Sequence, residues 1–379
     1  MPTDILIATG EFPPYAGGAG LYAADFAGAL KRRGFSVTVL APEYCRSSGD
    51  MPDFGLDDII PNWPVRSWKP KRIWQASRIL ARTISSLQPK LVVLADVNAH
   101  RAGVFQWKTR PVVIALGSEI VSLFQRPLLR ACFSSVYKRA RLVVAISEFA
   151  RETILELGIA PENIAVYTPG VAPEFVGPPP DPARTLGLRE KWGVSTDTSV
   201  VLTVARLTER KGIDTSIRAI AELIRQDRDV TYLIAGTGPE RQSLERQARD
   251  LGCHDRVRFL GGVSEQDKIE LYDLCDCYIM LSRRVGFDVE GYGISFTEAS
   301  LREKPAVGSW HGGIPEIVEH EATGFLVEPQ DAGAAAGYLS RVLADPGLAR
   351  RLGEAGRQRM LGILQDRHLG PIEMLLQDS

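Results

Sequence analysis

Cysteine is scarce and unpatterned in this chain of 379 residues: Cys45, Cys132, Cys253, Cys275 and Cys277 form an odd set with no framework spacing. That excludes a disulfide scaffold and points to a reducing compartment. Cys275 and Cys277 are separated by Asp276 alone, with no second Cys or His pair nearby, so apolar buried thiols are expected and a zinc site is not. No run approaches the ~18 uninterrupted apolar residues of a membrane-crossing helix. The opening Met1-Pro-Thr-Asp-Ile-Leu-Ile-Ala8 has no charged stretch followed by a long apolar one, so no signal peptide is expected and a cytoplasmic location is. Gly-X-Ser-X-Gly and Gly-X4-Gly-Lys-Ser/Thr are both missing, which removes the usual support for a hydrolase or a kinase.

What is present is an ordinary globular composition, 45% hydrophobic and 24% charged, long enough for two or three domains. Net charge is -1, but residues 1–170 carry 20 Lys and Arg against 14 Asp and Glu. Residues 60–141 carry 15 against only Asp96 and Glu119, a net +13. Trp63, Trp68 and Trp74 interleave there with Arg66, Lys69, Lys71 and Arg72. This pattern suits an anionic membrane surface or an acidic acceptor, with a solvated basic face as the plain alternative. No nucleic-acid partner is expected.

An apolar strand at Asp4–Ala8, a glycine-rich loop over Gly10–Gly20, a helix over Leu21–Arg33 and a second strand at Phe35–Leu40 open a parallel βαβ pattern. Buried-strand runs follow at Leu91–Ala95, Val112–Leu116, Leu142–Ile146 and Ile164–Tyr167. The Pro-rich stretch Gly177–Pro182 reads as a linker. The pattern then restarts with strands at Val200–Val204, Thr231–Ala235, Val257–Leu260, Cys277–Leu281, Pro305–Gly308 and Gly324–Val327, separated by helices such as Ile213–Arg225 and Pro239–Leu251. The fold class is α/β, with two Rossmann-like domains whose parallel sheets face each other across a cleft. Their expected extents are 1–176 and 177–358, with a C-terminal helix at 359–379 crossing back to the first domain.

Glu290-Gly-Tyr-Gly-Ile-Ser-Phe-Thr-Glu298 sets two carboxylates eight positions apart around a Gly-X-Gly where a helix should begin. Arg206 and Lys211 follow an apolar strand upstream. Cations suit a diphosphate, bare amides at a helix start suit an anion or sugar hydroxyls, and carboxylates accept from hydroxyls. Gly17 and Gly18 lack the spacing of a dinucleotide fingerprint and read as backbone that can approach a phosphate or sugar. Gly236 and Gly238 close a strand of the second domain, either at the nucleotide or as a tight turn. Asp227-Arg-Asp229 imitates a divalent-cation motif but sits at the wrong end of its strand, so no metal is expected. His100 and His311 are further ligand candidates.

These pieces, with Ala145-Ile-Ser-Glu148, Pro169-Gly-Val171 and Gly313-Ile-Pro-Glu316, resemble the retaining glycosyltransferases of family four, of GT-B architecture, nearly end to end. The flavour is most similar to bacterial mannosyltransferases acting on phosphatidylinositol mannosides. The resemblance implies that Arg206 and Lys211 hold the donor diphosphate and Glu298 the ribose. It assigns the transferred sugar to Glu290 with the amides of Gly291, Tyr292, Gly293 and Ile294. Gly17 and Gly18 would close on the phosphates, and Val263 would meet the nucleobase through its backbone. Two departures stand out: Leu116 occupies the position where the family commonly has His, and Ala172 the position of a common Asp.

The function so implied is metal-independent, retaining hexosyl transfer from GDP-mannose or a UDP-sugar to a glycan, lipid-linked or small-molecule hydroxyl, with no cofactor. The enzyme would be cytoplasmic, with peripheral attachment to the inner membrane face expected through residues 60–141. A nucleotide-sugar epimerase of the same fold and a catalytically silent membrane scaffold are the alternatives.

Overall fold

The structure, a computed structural model, describes residues 3–14, 17–46, 55–64, 70–117, 120–121 and 127–377. Arg66, Trp68, Lys69, Glu119 and the side chain of Cys132 lie outside the described residues. The chain divides into two units, Met1–Gly170 with Arg367–Ser379, and Val171–Asp366.

Among the described residues the first unit contains β1 (Ile5–Ala8), β2 (Val37–Pro42), β3 (Asp58–Trp63), β4 (Leu91–Leu94), β5 (Val112–Ala115), β6 (Leu142–Ala145) and β7 (Ile164–Val166). They form one sheet in the order β3-β2-β1-β4-β5-β6-β7. Neighbours run parallel, with Ile5 facing Val37 on one side and Leu91 on the other. The β1 and β4 runs are buried along their whole length, as continuous apolar strands covered on both faces must be. β3 escapes the sequence reading because Asp-Ile-Ile-Pro-Asn-Trp is polar and carries Pro61. At the sheet edge a proline costs no ladder bond. The first helix spans Gly18–Arg32 and so begins three residues before the expected Leu21, with the Leu21 amide already bonded to the Gly17 carbonyl.

The second unit repeats the plan with β8 (Ser199–Val204), β9 (Val230–Ala235), β10 (Val257–Gly261), β11 (Cys277–Ile279), β12 (Ala306–Ser309) and β13 (Gly324–Val327). The order is β10-β9-β8-β11-β12-β13, again parallel. The Ile213–Arg225 helix shows how its core forms: Ile213, Ile217, Ile220 and Leu223 recur at helical spacing and are buried with Tyr232 and Leu281. In each sheet the strand order reverses direction once, between β1 and β4 and between β8 and β11. Loops leaving adjacent strands to opposite sides open a crevice at such a point, where α/β sheets bind ligands.

Two expected boundaries move. The first unit ends at Gly170 rather than 176 because residues 171–181 pack on the second unit. Phe175 is buried edge-on to Tyr272 at 5.8 Å, and the Gly177 carbonyl accepts from Arg302 Nη1 at 3.0 Å. The return crossing lies after Asp366 rather than at 358, because Pro346–Gln365 is one unbroken helix. Beyond it, Arg367 pairs with Asp25, donates to the Thr168 carbonyl at 2.9 Å and lies 4.3 Å over the Tyr167 ring. The Gly370–Gln377 helix buries Ile372 and Leu376 in the first unit.

Arg302 donates to Asp273 at 2.6 Å, and both side chains are buried. Asp273→Ala strands that guanidinium, and about 3–5 kcal/mol of stability should be lost in denaturant unfolding of the second unit. A loss under about 1 kcal/mol would show that the pair is not what secures the 171–181 segment.

Candidate active site

The site is built where β8 and β11 part. After β8 the chain runs through Arg206 into a single tight turn, Glu209–Lys211, which ends at Gly212 with φ +63°. A Cβ at Gly212 would overlap the Leu281 carbonyl, so glycine is what lets the β8 loop lie directly against the β11 loop. The loop after β12 closes in from the other side: the Gly313 amide donates to the Glu290 carbonyl at 3.0 Å, and Gly312, at φ +59°, has no room for a side chain beside that carbonyl. Three strand ends thus converge on Glu290.

Glu290 is buried, and its Oε2 accepts from Lys211 Nζ at 2.6 Å, Arg210 Nη1 at 2.7 Å and Ser282 Oγ at 3.2 Å. Asp288 also approaches Arg210, with Oδ1 3.1 Å from Nε. Burial alone would raise the Glu290 carboxyl, but Lys211 and Arg210 overcome it and hold the group down at about 2. Burial pulls Lys211 below the ordinary lysine range, and the nearby Arg210 and Arg206 guanidiniums add to that against the attraction of Glu290. The Glu290 Oε1 receives no donor among the described residues, which leaves it able to accept from a hydroxyl.

Directly after this cluster, Gly293 at φ +102° opens the Ile294–Leu301 helix. Among the described residues no carbonyl or side chain accepts from the Ile294 or Ser295 amides. Glu298 lies further along the same helix, buried, accepting from Lys268 Nζ at 2.9 Å and Tyr272 Oη at 2.8 Å. Burial pushes its carboxyl above the usual range, and the Lys268 ammonium works against that shift. Tyr278 Oη donates to Ser295 Oγ at 2.7 Å and so steadies the helix start.

The residues singled out from the sequence fall into distinct settings. Lys211 and Glu290 meet directly, with Gly291 to Ile294 immediately beside them. Arg206 is exposed and its guanidinium makes no hydrogen bond or ion pair among the described residues, yet its charge is felt at Lys211. Gly236 and Gly238 lie where a Cβ would strike the Ala205 and Leu207 carbonyls, and the Gly236 amide donates to the Gly261 carbonyl at 2.6 Å. Half-buried Val263 precedes Ser264, which caps the Glu265–Leu274 helix. Gly17 and Gly18 belong to the first unit, at the start of its first helix, and a Cβ at Gly18 would meet nothing within 4 Å.

His100 is a core residue: it is fully buried, its Nε2 is 3.2 Å from the Leu94 carbonyl, and burial lowers it to about 4. His311 sits near enough to feel both Glu290 and Arg210, and burial lowers it. Asp229 pairs with Arg256 at 2.5 Å and accepts from Thr198 at 2.7 Å, before β9 and away from the strand ends that carry the site. No group of three His, Cys, Asp or Glu among the described residues is placed to hold a metal ion. Cys45, Cys253, Cys275 and Cys277 are buried free thiols, Cys275 pushed up to about 12 by burial.

Arg210, Ser282, Lys268 and Tyr272 are site residues that the sequence reading did not single out. Arg210 adjoins Lys211, so the dipeptide itself was the available signal. Lys268 and Tyr272 lie four apart on one helix face, with nothing local to tie them to Glu298.

Two doubly wound parallel units, with cations and a charged carboxylate converging beside a bare helix start, define a nucleotide-sugar transferase of GT-B architecture. Residues 16–175 match the family described as Glycosyltransferase Family 4, and residues 187–359 match Glycosyl transferases group 1. The chain belongs to these glycosyltransferases. It is 31% identical to the GDP-mannose-dependent α-(1-6)-phosphatidylinositol monomannoside mannosyltransferase of Mycolicibacterium smegmatis, over 97% of this chain and 96% of that one. It is 28% identical to the protein of the same description from Mycobacterium tuberculosis, over 93% and 92%. Among solved structures, Anabaena HepE in complex with UDP and glucose shares the fold over 100% of both chains, with a TM-score of 0.77 and 23% identity. Sucrose-phosphate synthase from Thermosynechococcus elongatus does so over 100% of both, with a TM-score of 0.81 and 22% identity.

The Glu290 carboxyl is depressed from 4.5 unfolded to about 2 folded. Its stabilising contribution is therefore complete above about pH 4.5 and lost as pH falls toward 2. Glu290→Gln should flatten this acid limb in unfolding measured from pH 7 downward. An unchanged slope would show that the carboxylate is not held by Lys211 and Arg210 in solution.

Proposed function

We propose that this glycosyltransferase moves a hexosyl group, with retention and without a metal, from GDP-mannose or a UDP-sugar to an acceptor hydroxyl, glycan or lipid-linked. The observation that carries the reading is Glu290, ionised and oriented by Lys211 and Arg210 on one oxygen while the other faces no donor. The relatives named above use GDP-mannose, which favours that donor.

In this reading Glu290 Oε1 accepts from a hydroxyl of the transferred sugar, and the amides at Gly291, Tyr292, Gly293 and Ile294 approach the same sugar. Arg206, Arg210 and Lys211 stabilise the negative charge that develops on the departing diphosphate, work suited to fixed cations in a site that excludes water. Glu298 accepts from the ribose hydroxyls, the Val263 backbone meets the base, and Gly17 and Gly18 admit the phosphates. The bond from the anomeric carbon to the phosphate oxygen breaks as the bond to the acceptor oxygen forms on the same face. The acceptor proton passes to the departing phosphate oxygen.

The first unit is read as the acceptor side, attached to an anionic membrane surface. The Pro70–Leu87 helix supports this with exposed Lys71, Arg72, Arg78 and Arg82. No described helix is long and apolar enough to cross a membrane.

Lys211→Met should lower turnover at saturating donor by about 10²–10³-fold; near-native turnover would remove Lys211 from the mechanism. A thermal-shift panel of GDP, UDP, ADP and dTDP sugars should raise the unfolding temperature with GDP-mannose or a UDP-sugar. Turnover of that donor should survive chelation by EDTA, and its loss would overturn the metal-free reading. Conversion of donor to an altered sugar without any acceptor would instead mark an epimerase.

A further inference from the structure

We infer that the loop between the Val97–Gly103 helix and β5 is an aromatic anchor that enters an anionic lipid interface, with Trp107 as its deepest residue and Trp74 on the helix to which the loop is bonded. The inference deepens the basic-surface reading above and rests on it. Trp107 is 80% exposed and Phe105 50%, on a stretch of three residues. Such exposure removes any packing role in the core, and apolar surface left bare in this way marks an interaction site.

The loop is held in place. Its turns are closed by backbone bonds from Val104 to His100 at 3.2 Å, Gln106 to Gly103 at 3.0 Å and Thr109 to Gln106 at 3.1 Å. The Gln106 Nε2 donates to the Ser77 carbonyl at 2.9 Å and to Ser77 Oγ at 2.8 Å. Those bonds fasten the loop to the Pro70–Leu87 helix. Trp107 therefore projects from a fixed base.

That helix supplies the complementary charge. Lys71, Trp74, Arg78 and Arg82 follow one another at helical spacing on one exposed face, with Trp74 54% exposed and the Arg78 guanidinium 4.6 Å over its ring. Lys108 and Arg110 of the loop are exposed as well. Between residues 70 and 117 the one acidic residue is Asp96, and it is buried as the cap of the Val97–Gly103 helix. The surface thus combines amphipathic rings, which favour the headgroup layer, with uncompensated cations, which favour anionic lipid. A second copy of the chain would bring like charges together.

The test is co-sedimentation of the full chain with vesicles of phosphatidylcholine, alone or with phosphatidylglycerol, at low salt and near 1 M salt, where the screening length is about 3 Å. Wild type should bind the anionic vesicles. Trp107→Ala should weaken binding roughly tenfold at both salts through lost apolar burial, and Trp107→Phe should restore most of it. Arg78→Ser with Arg82→Ser should weaken it more than tenfold at low salt only. Trp107→Ala binding as wild type would overturn the anchor. So would self-association of wild type in sedimentation equilibrium that Trp107→Ala abolishes, since the occupant would then be a second copy. The nucleotide-sugar thermal shift, retained in Trp107→Ala, reports on the fold and the donor site separately. In wild type, failure to bind anionic vesicles with donor binding kept defeats the surface alone, and vesicle binding without binding of any nucleotide sugar defeats the transferase reading alone.

Discussion

A carboxylate buried among strand ends is tolerable only when cations share it, and Glu290 is the point at which the second unit meets that condition. Arg210 and Lys211 reach it from the β8 loop, and Ser282 reaches it from the β11 loop. The β12 loop holds its main chain through Gly313. Each loop is positioned by this one charge, and the charge is permitted by the loops. Removing the negative centre would leave Lys211 and Arg210 facing each other in a dry setting, with Arg206 adding to the strain from outside. The same excess of positive charge is what makes the crevice receptive to a polyanion.

The two acidic residues of the Glu290–Glu298 run lead opposite electrostatic lives, although eight positions separate them. Glu290 is dominated by two cations and sits far below its ordinary range, while Glu298 has one ammonium and a phenol and is pushed upward by burial. The run therefore offers a firmly ionised acceptor at the start of the helix and a softer one within it. That division follows from where the strands deliver their basic residues, since Lys268 arrives from the Glu265–Leu274 helix and Lys211 from the β8 loop.

Much of this plan was legible beforehand because parallel strands covered on both faces read as short apolar runs. Gly324–Val327 and Ile213–Arg225 were read with their bounds intact. β3 was hidden because an edge strand need not be apolar and can accept Pro61. At the site, the Lys211–Glu290 partnership was within reach of motif reading, whereas Arg210, the second cation on the carboxylate, was passed over. A single turn with Gly212 at its end decides which of two arginines points inward, and no periodicity reports that. Lys268 and Tyr272 were invisible for a different reason: their tie to Glu298 spans about thirty residues and exists only once β10 and β11 lie in one sheet.

The segment from Arg367 onward completes the first unit from the far end of the chain, through Asp25, Tyr167 and a helix bonded to Arg33 and Arg141. It is translated after every residue of the second unit. During synthesis on the ribosome the earlier-made unit must therefore wait, unsealed, until the later-made one has emerged. Maturation of the two is coupled in time even though each has its own sheet.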